Sequence, residues 1–120
     1  MQSLVFIPAF GCDERLYAPQ VAALAGAWET QVIVPTADRY VGMVEDVLAK
    51  APDHFVIMGT SMGGRVALET TLAAPERVRG LVIIGAGAGA VADPVAGLRR
   101  SARIRGGEKQ QVLIEMGNMI

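Results

Sequence analysis

This sequence predicts an α/β domain: a parallel sheet of about four strands with helices on both faces. Three observations carry that prediction. Four short apolar runs (Leu4–Ile7, Val32–Val34, Phe55–Met58 and Leu81–Ile84) alternate with stretches of helical periodicity. Each run is continuous rather than alternating, as in strands covered on both faces. The first two runs are closed by prolines, Pro8 and Pro35, and the third by Gly59.

In chain order, Leu4-Val5-Phe6-Ile7 reads as the first strand. Asp13 can cap a helix over about Glu14–Leu24 that turns Leu16, Val21 and Leu24 to the core. Val32–Val34 is the second strand, and a helix over about Asp38–Ala49 follows with Val41, Val44 (or Met43), Val47 and Leu48 at helical spacing. Phe55–Met58 is the third strand, with a helix from Arg65 to Ala74 behind it. Leu81–Ile84 is the fourth. Asp93-Pro94 has the form of an N-cap with proline at N1. Beyond it lie a basic stretch, a Gly106-Gly107 break, and apolar positions Val112, Leu113, Met116 and Met119. The expected division is a sheet-and-helix core over 1–92 and a helical segment over 93–120.

Right-handed crossovers between parallel strands gather the loops after Ile7, Val34, Met58 and Ile84 at one sheet edge, where ligands of such sheets bind. At that edge stands Gly59-Thr60-Ser61-Met62-Gly63, a G-x-S-x-G between a strand and a helix. A nucleophile elbow needs this order. The strand delivers the serine, a sharp turn exposes its Oγ, and the helix N-terminus points N–H groups toward it. Ser61 is therefore the first candidate for chemistry, and Gly59 and Gly63 permit the tight turn.

Composition bounds the rest. The chain has 120 residues, 52% apolar and 19% charged, enough for one domain with a buried core. A formal net charge of −1 gives no reason to expect nucleic acid or an anionic membrane as a partner. A single cysteine, Cys12, forms no internal disulfide, and the first residues show no basic region or cleavage site. Together these point to a reducing, cytoplasmic setting. No apolar stretch approaches the ~18 residues of a membrane span.

Three stretches resemble the α/β-hydrolase superfamily, in particular its small bacterial carboxylesterase-like members. They are Leu4–Leu16 (LVFIPAFGCDERL), Phe55–Gly64 (FVIMGTSMGG) and Ala74–Ile84 (APERVRGLVII). The resemblance implies a partial α/β-hydrolase fold, with the first strand between the second and third. It implies that 93–120 begins a helical lid. It also implies an oxyanion hole formed by the Phe10 and Met62 amides, although many relatives have His-Gly where this chain has Pro8-Ala9. The implied activity is that of a serine esterase: hydrolysis of a small apolar carboxylic ester through an acyl-enzyme at Ser61. No metal or organic cofactor is implied, since the mechanism needs none and no ligand cluster is visible.

The catalytic partners are the difficulty. In this superfamily the order is serine, then acid, then histidine. The single histidine, His54, precedes Ser61 and lies across the third strand from it, roughly 20 Å away at 3.3 Å per residue. A catalytic hydrogen bond needs about 3 Å. Asp93 occupies a position some relatives use for the acid, but a helix cap is its favoured use. The expectation is a truncated piece of a longer hydrolase, inactive alone, whose Leu81–Ile84 strand is left as an apolar edge open to self-association.

Competing readings use other residues. A non-catalytic fragment or interaction module could keep the same fold. Gly85–Ala90 (GAGAGA) fits the G-x-G-x-x-A of a dinucleotide-binding turn, although Pro94 interrupts the helix that should follow and no acidic strand end lies about 20 residues on. Cys12 is either a packing residue, the favoured reading, or a thiol nucleophile beside the oxyanion loop with only Arg15 nearby to activate it. Arg99, Arg100, Arg103 and Arg105 form either a solvated helix face or a surface for an anionic substrate or partner. Leu113, Met116 and Met119 form either packing contacts or an acyl pocket.

Overall fold

The structure, a computed structural model, describes residues 1–87 and 93–118. It contains two compact units, Met1–Ala88 and Gly89–Ile120.

The first unit is a four-stranded parallel sheet in the order β2-β1-β3-β4. Its strands are β1 (Gln2–Ile7), β2 (Trp28–Val32), β3 (Phe55–Thr60) and β4 (Val78–Ile84). The chain steps from β1 to β2 on one side and then to β3 on the other, so the order reverses between β1 and β3. Leu4 through Ile7 are all buried, as a continuous apolar run on an inner strand should be.

Helices cover both faces. On one, α2 (Tyr40–Lys50) and α3 (Met62–Ala73) enclose a core of Val5, Ile7, Ile33, Val47, Phe55, Ile57, Val66 and Ala67. On the other, a 3-10 turn over Glu14–Tyr17 continues into α1 (Ala18–Leu24), and Tyr17 packs with Leu4 and Phe6. Asp13 caps the 3-10 turn by accepting from the Arg15 N–H, as its position suggested, and Pro19 sits in the first turn of α1.

The second strand differs most from the expected boundaries. It runs over Trp28–Val32 rather than Val32–Val34. As an edge strand it alternates, with Trp28, Thr30 and Val32 half-buried and Glu29 and Gln31 exposed. A search for continuous apolar residues misses such a pattern. Ile33 still donates to the Phe6 carbonyl at 3.0 Å, extending the contact by one residue.

α3 starts at Met62, directly after Ser61, and not at Arg65. Gly63 and Gly64 are poor helix formers, but their lack of side chains is what lets the helix begin against the sheet.

In the second unit, α4 (Pro94–Arg103) is capped by Asp93, whose Oδ1 accepts from the Ala96 N–H at 3.1 Å. The Gly106-Gly107 break is a wide π-type turn over Ile104–Glu108, with Gly107 at φ 96°, leading into α5 (Lys109–Gly117). Arg103 bridges this kink, bonding Glu108 at 3.2 Å and Glu115 at 2.5 Å. The Glu115 and Glu108 hydrogen bonds hold the Arg103 guanidinium more firmly protonated than usual, and the Arg103 bond holds Glu115 below the usual carboxylate range. Among the described residues no helix is long and apolar enough to cross a membrane.

Candidate active site

Ser61 stands between the last residue of β3 and the first of α3, exposed, with φ 54° and ψ −118°. It is the single non-glycine residue with positive φ among those described. Such a conformation costs of order 1–3 kcal/mol and persists only where its surroundings enforce it. Here the Ser61 N–H donates to the Ile84 carbonyl at 2.8 Å, fastening the turn to the end of β4. The Ser61 carbonyl accepts from the Gly64 N–H at 2.9 Å and the Arg65 N–H at 3.3 Å. Its side chain makes no capping bond to α3, so Oγ is not consumed in holding the helix.

Two glycines let the turn close. A Cβ on Gly59 would overlap the Gly63 carbonyl, and a Cβ on Gly63 would overlap the carbonyl oxygens of Ile7 and Pro8. The start of α3 therefore lies directly on the end of β1, bringing the loop after Ile7 beside the elbow.

That loop turns at once. Cys12 N–H donates to the Ala9 carbonyl at 3.0 Å, and Gly11 at φ 76° supplies the left-handed corner. Phe10 occupies the first corner position of this turn. Met62 is the first residue of α3, where backbone N–H groups have no partner within the helix. The two loops that hold Phe10 and Met62 thus meet at the β1/β3 reversal, the expected location of a ligand in an open α/β sheet.

Tyr17 joins the same two loops. Its hydroxyl lies 3.3 Å from the Ile7 carbonyl and also hydrogen-bonds Thr60 Oγ1, next to Ser61. Its ring is buried and stacked on Phe6, with centroids 4.5 Å apart. Burial is the main cause raising the hydroxyl above the usual tyrosine value, while the Thr60 bond opposes it. Neither residue stood out in the sequence. The signal was a tyrosine in the place of an ordinary core residue, and their link spans 43 positions.

Other candidates lie elsewhere. His54 is exposed just before β3, so the six-residue strand separates it from Ser61. It borders a 560 Å³ cavity with Ser3, Phe55 and Arg79, at the opposite sheet edge from the elbow. Asp93 serves as the α4 cap. Cys12 is exposed beside the Phe10 turn. In the glycine-alanine segment, Gly85 has φ 65°, Ala88, Gly89 and Ala90 lie outside the described residues, and the next described helix begins at Pro94. Leu113 and Met116 are half-buried positions of α5, and Met119 lies outside the described residues.

A family model described as the alpha/beta hydrolase fold matches residues 8–110. The chain belongs to that family. Curated relatives within it are pimeloyl-[acyl-carrier protein] methyl ester esterases. The Pectobacterium carotovorum protein is 32% identical over 90 residues, 68% of this chain and 35% of its own length. The Aliivibrio salmonicida protein is 29% identical over 90 residues, 68% of this chain and 34% of its own. The Yersinia enterocolitica protein is 50% identical over 42 residues, 35% of this chain and 16% of its own. The matched region thus spans about a third of the length of the Pectobacterium and Aliivibrio proteins.

Proposed function

We propose that the protein to which this chain belongs is a serine hydrolase of carboxylic esters, with Ser61 as nucleophile. The observation that carries this reading is the strained, exposed Ser61 at the strand-to-helix turn, φ 54° and ψ −118°. In this mechanism Ser61 Oγ attacks the ester carbonyl, and the developing oxyanion is held by the Phe10 and Met62 N–H groups. Removing one such donor typically costs about 3 kcal/mol of transition-state stabilisation. The alcohol leaves, and water then hydrolyses the acyl-enzyme.

His54 lies across β3 from Ser61, so the general base and its acid come from residues outside this sequence. In this reading the helices from Pro94 onward are the beginning of a helical lid segment. The relatives' printed activity makes a methyl ester of a carrier-linked acyl chain the first substrate to test, and the exposed Arg99 and Arg105 suit an anionic substrate or partner.

The test is labelling by a fluorophosphonate in the protein at its natural length, compared with Ser61→Ala. Labelling and ester turnover should both disappear in the variant, turnover by about 10⁴-fold or more. Absence of Ser61-dependent labelling in the parent would instead favour a non-catalytic module with the same fold.

A second expectation concerns these 120 residues alone. β4 is the last strand of the described sheet, and Val82 and Ile84 are 39% and 46% exposed. An apolar edge of this kind recruits another strand. The isolated chain should therefore self-associate with rising concentration by light scattering, and a monodisperse monomer at high concentration would contradict this.

A further inference from the structure

We propose that Tyr17 is a positioning residue for the Ser61 site: its hydroxyl, bonded to both the Ile7 carbonyl and the Thr60 hydroxyl, sets the spacing of the two loops that carry Phe10 and Met62. The inference rests on the reading of Ser61 as nucleophile and adds a residue that reading does not use.

Hydrogen-bond inventory fixes the directions. A tyrosine hydroxyl has one proton, and the Ile7 carbonyl can only accept, so Tyr17 donates to Ile7. Thr60 Oγ1 must then donate to Tyr17. The threonine proton is committed to this bond and is not available to Ser61.

Both partners are special positions. The β1/β3 pairing ends at Ile7 opposite Gly59, and beyond it no ladder sets the separation of the two loops. Thr60 is the residue before Ser61, and the Ile7 carbonyl is one of the atoms a Gly63 side chain would strike. One hydroxyl thus grips the strand end behind Phe10 and the residue before the nucleophile. Tyr17 can act as a fixed post because the residue is 3% exposed and its ring is stacked on Phe6 at an interplanar angle of 28°. It also ends the 3-10 turn capped by Asp13, so the tie holds the segment on the far side of the Phe10 turn.

Misplacement of a reacting group by about 1 Å costs on the order of 100-fold in rate. Tyr17→Phe keeps the stacked ring and deletes both bonds. Thr60→Val keeps the shape of the threonine and deletes one. In the protein at its natural length, each variant should lower kcat for an ester substrate by about 10–100-fold with KM within about two-fold of the parent. Melting should stay cooperative and the folded fraction at the assay temperature unchanged. Because the two residues act as one tie, the double variant should lie within about three-fold of the worse single variant.

A Tyr17→Phe enzyme with parental kcat overturns the inference, as do multiplicative losses in the double variant or a kcat loss explained by the unfolded fraction. Should Tyr17→Phe not fold, the same criteria apply to Thr60→Val, which decides alone. Ser61→Ala separates this from the broader reading. If turnover survives that change, the nucleophile assignment falls and the tie is judged by amide exchange at Ser61 and Gly64, whose N–H groups bond Ile84 and Ser61. Faster exchange of both in Tyr17→Phe then sustains the tie, and unchanged exchange rejects it.

Discussion

Gly63→Ala should destabilise the sheet unit by at least about 3 kcal/mol, although alanine is the better helix former. Inside a helix the substitution normally gains about 1 kcal/mol. Here the new Cβ would overlap the carbonyl oxygens of Ile7 and Pro8. These are backbone atoms at the end of β1, where Val5, Phe6 and Ile7 are fully buried, so neither side can retreat without opening the core. Steric overlap therefore outweighs propensity. Gly64→Ala meets mainly side-chain atoms, Ile83 Cγ2 at 2.9 Å and Ala86 Cβ at 3.0 Å, with the Gly59 carbonyl farther off at 3.2 Å, and should cost about 1–2 kcal/mol. Gly26→Ala, with nothing within 4 Å, should be near neutral. Urea unfolding of the three variants checks the order. A Gly63→Ala midpoint equal to the parent's would show that the elbow is not packed on β1 as described.

This close approach also explains what the sequence could reveal. Gly59, Ser61 and Gly63 were legible because one backbone geometry demands small residues at fixed offsets around a serine. β1 was legible because both its faces are covered, which leaves a continuous apolar run. β2 was shifted because an edge strand needs only every second residue to be apolar, and Trp28-Glu29-Thr30-Gln31-Val32 does not read as a run. The start of α3 is not legible, because glycine propensity argues against a helix where contact with Ile7 and Pro8 requires glycine. The Tyr17–Thr60 bond has no sequence periodicity at all. It exists because the β1/β3 pairing brings the 3-10 turn over the end of β3, a consequence of topology rather than of local pattern. The four-arginine stretch looked uniform in the sequence, but Arg103 is committed to Glu108 and Glu115 across the Gly107 kink.

Arg77→Ala should lower the stability of the sheet unit by about 2–3 kcal/mol, without affecting Ser61 labelling while the protein remains folded. The loop from α3 to β4 places this guanidinium over the C-terminus of α2, whose last carbonyls have no partners within the helix. Nη1 donates to Leu48 at 3.0 Å, Nη2 to Ala51 at 3.1 Å and Pro52 at 2.9 Å, and Nε to Asp53 at 3.2 Å. The guanidinium also lies 5.7 Å from the centroid of the Phe55 ring, within cation–π range. Four charge-assisted bonds would sum to much more than 3 kcal/mol if each were fully buried. The Pro52 and Asp53 carbonyls are solvent-exposed and regain water when the arginine is removed, which leaves the part-buried Leu48 and Ala51 bonds at about 1–1.5 kcal/mol each. Arg77→Lys should recover little of it, because a single ammonium lacks the planar fork that reaches carbonyls from Leu48 to Asp53. The helix end so fixed carries Val47 into the core beside Val66 of α3, which links Arg77 to the packing behind the elbow. Its guanidinium nevertheless sits at the start of β3, a strand's length from Ser61. Urea midpoints falling in both variants, with fluorophosphonate labelling unchanged below the transition, are the expected pair of results. A labelling rate that falls in the fully folded Arg77→Ala protein would mean that strain at the sheet's lower edge reaches the nucleophile.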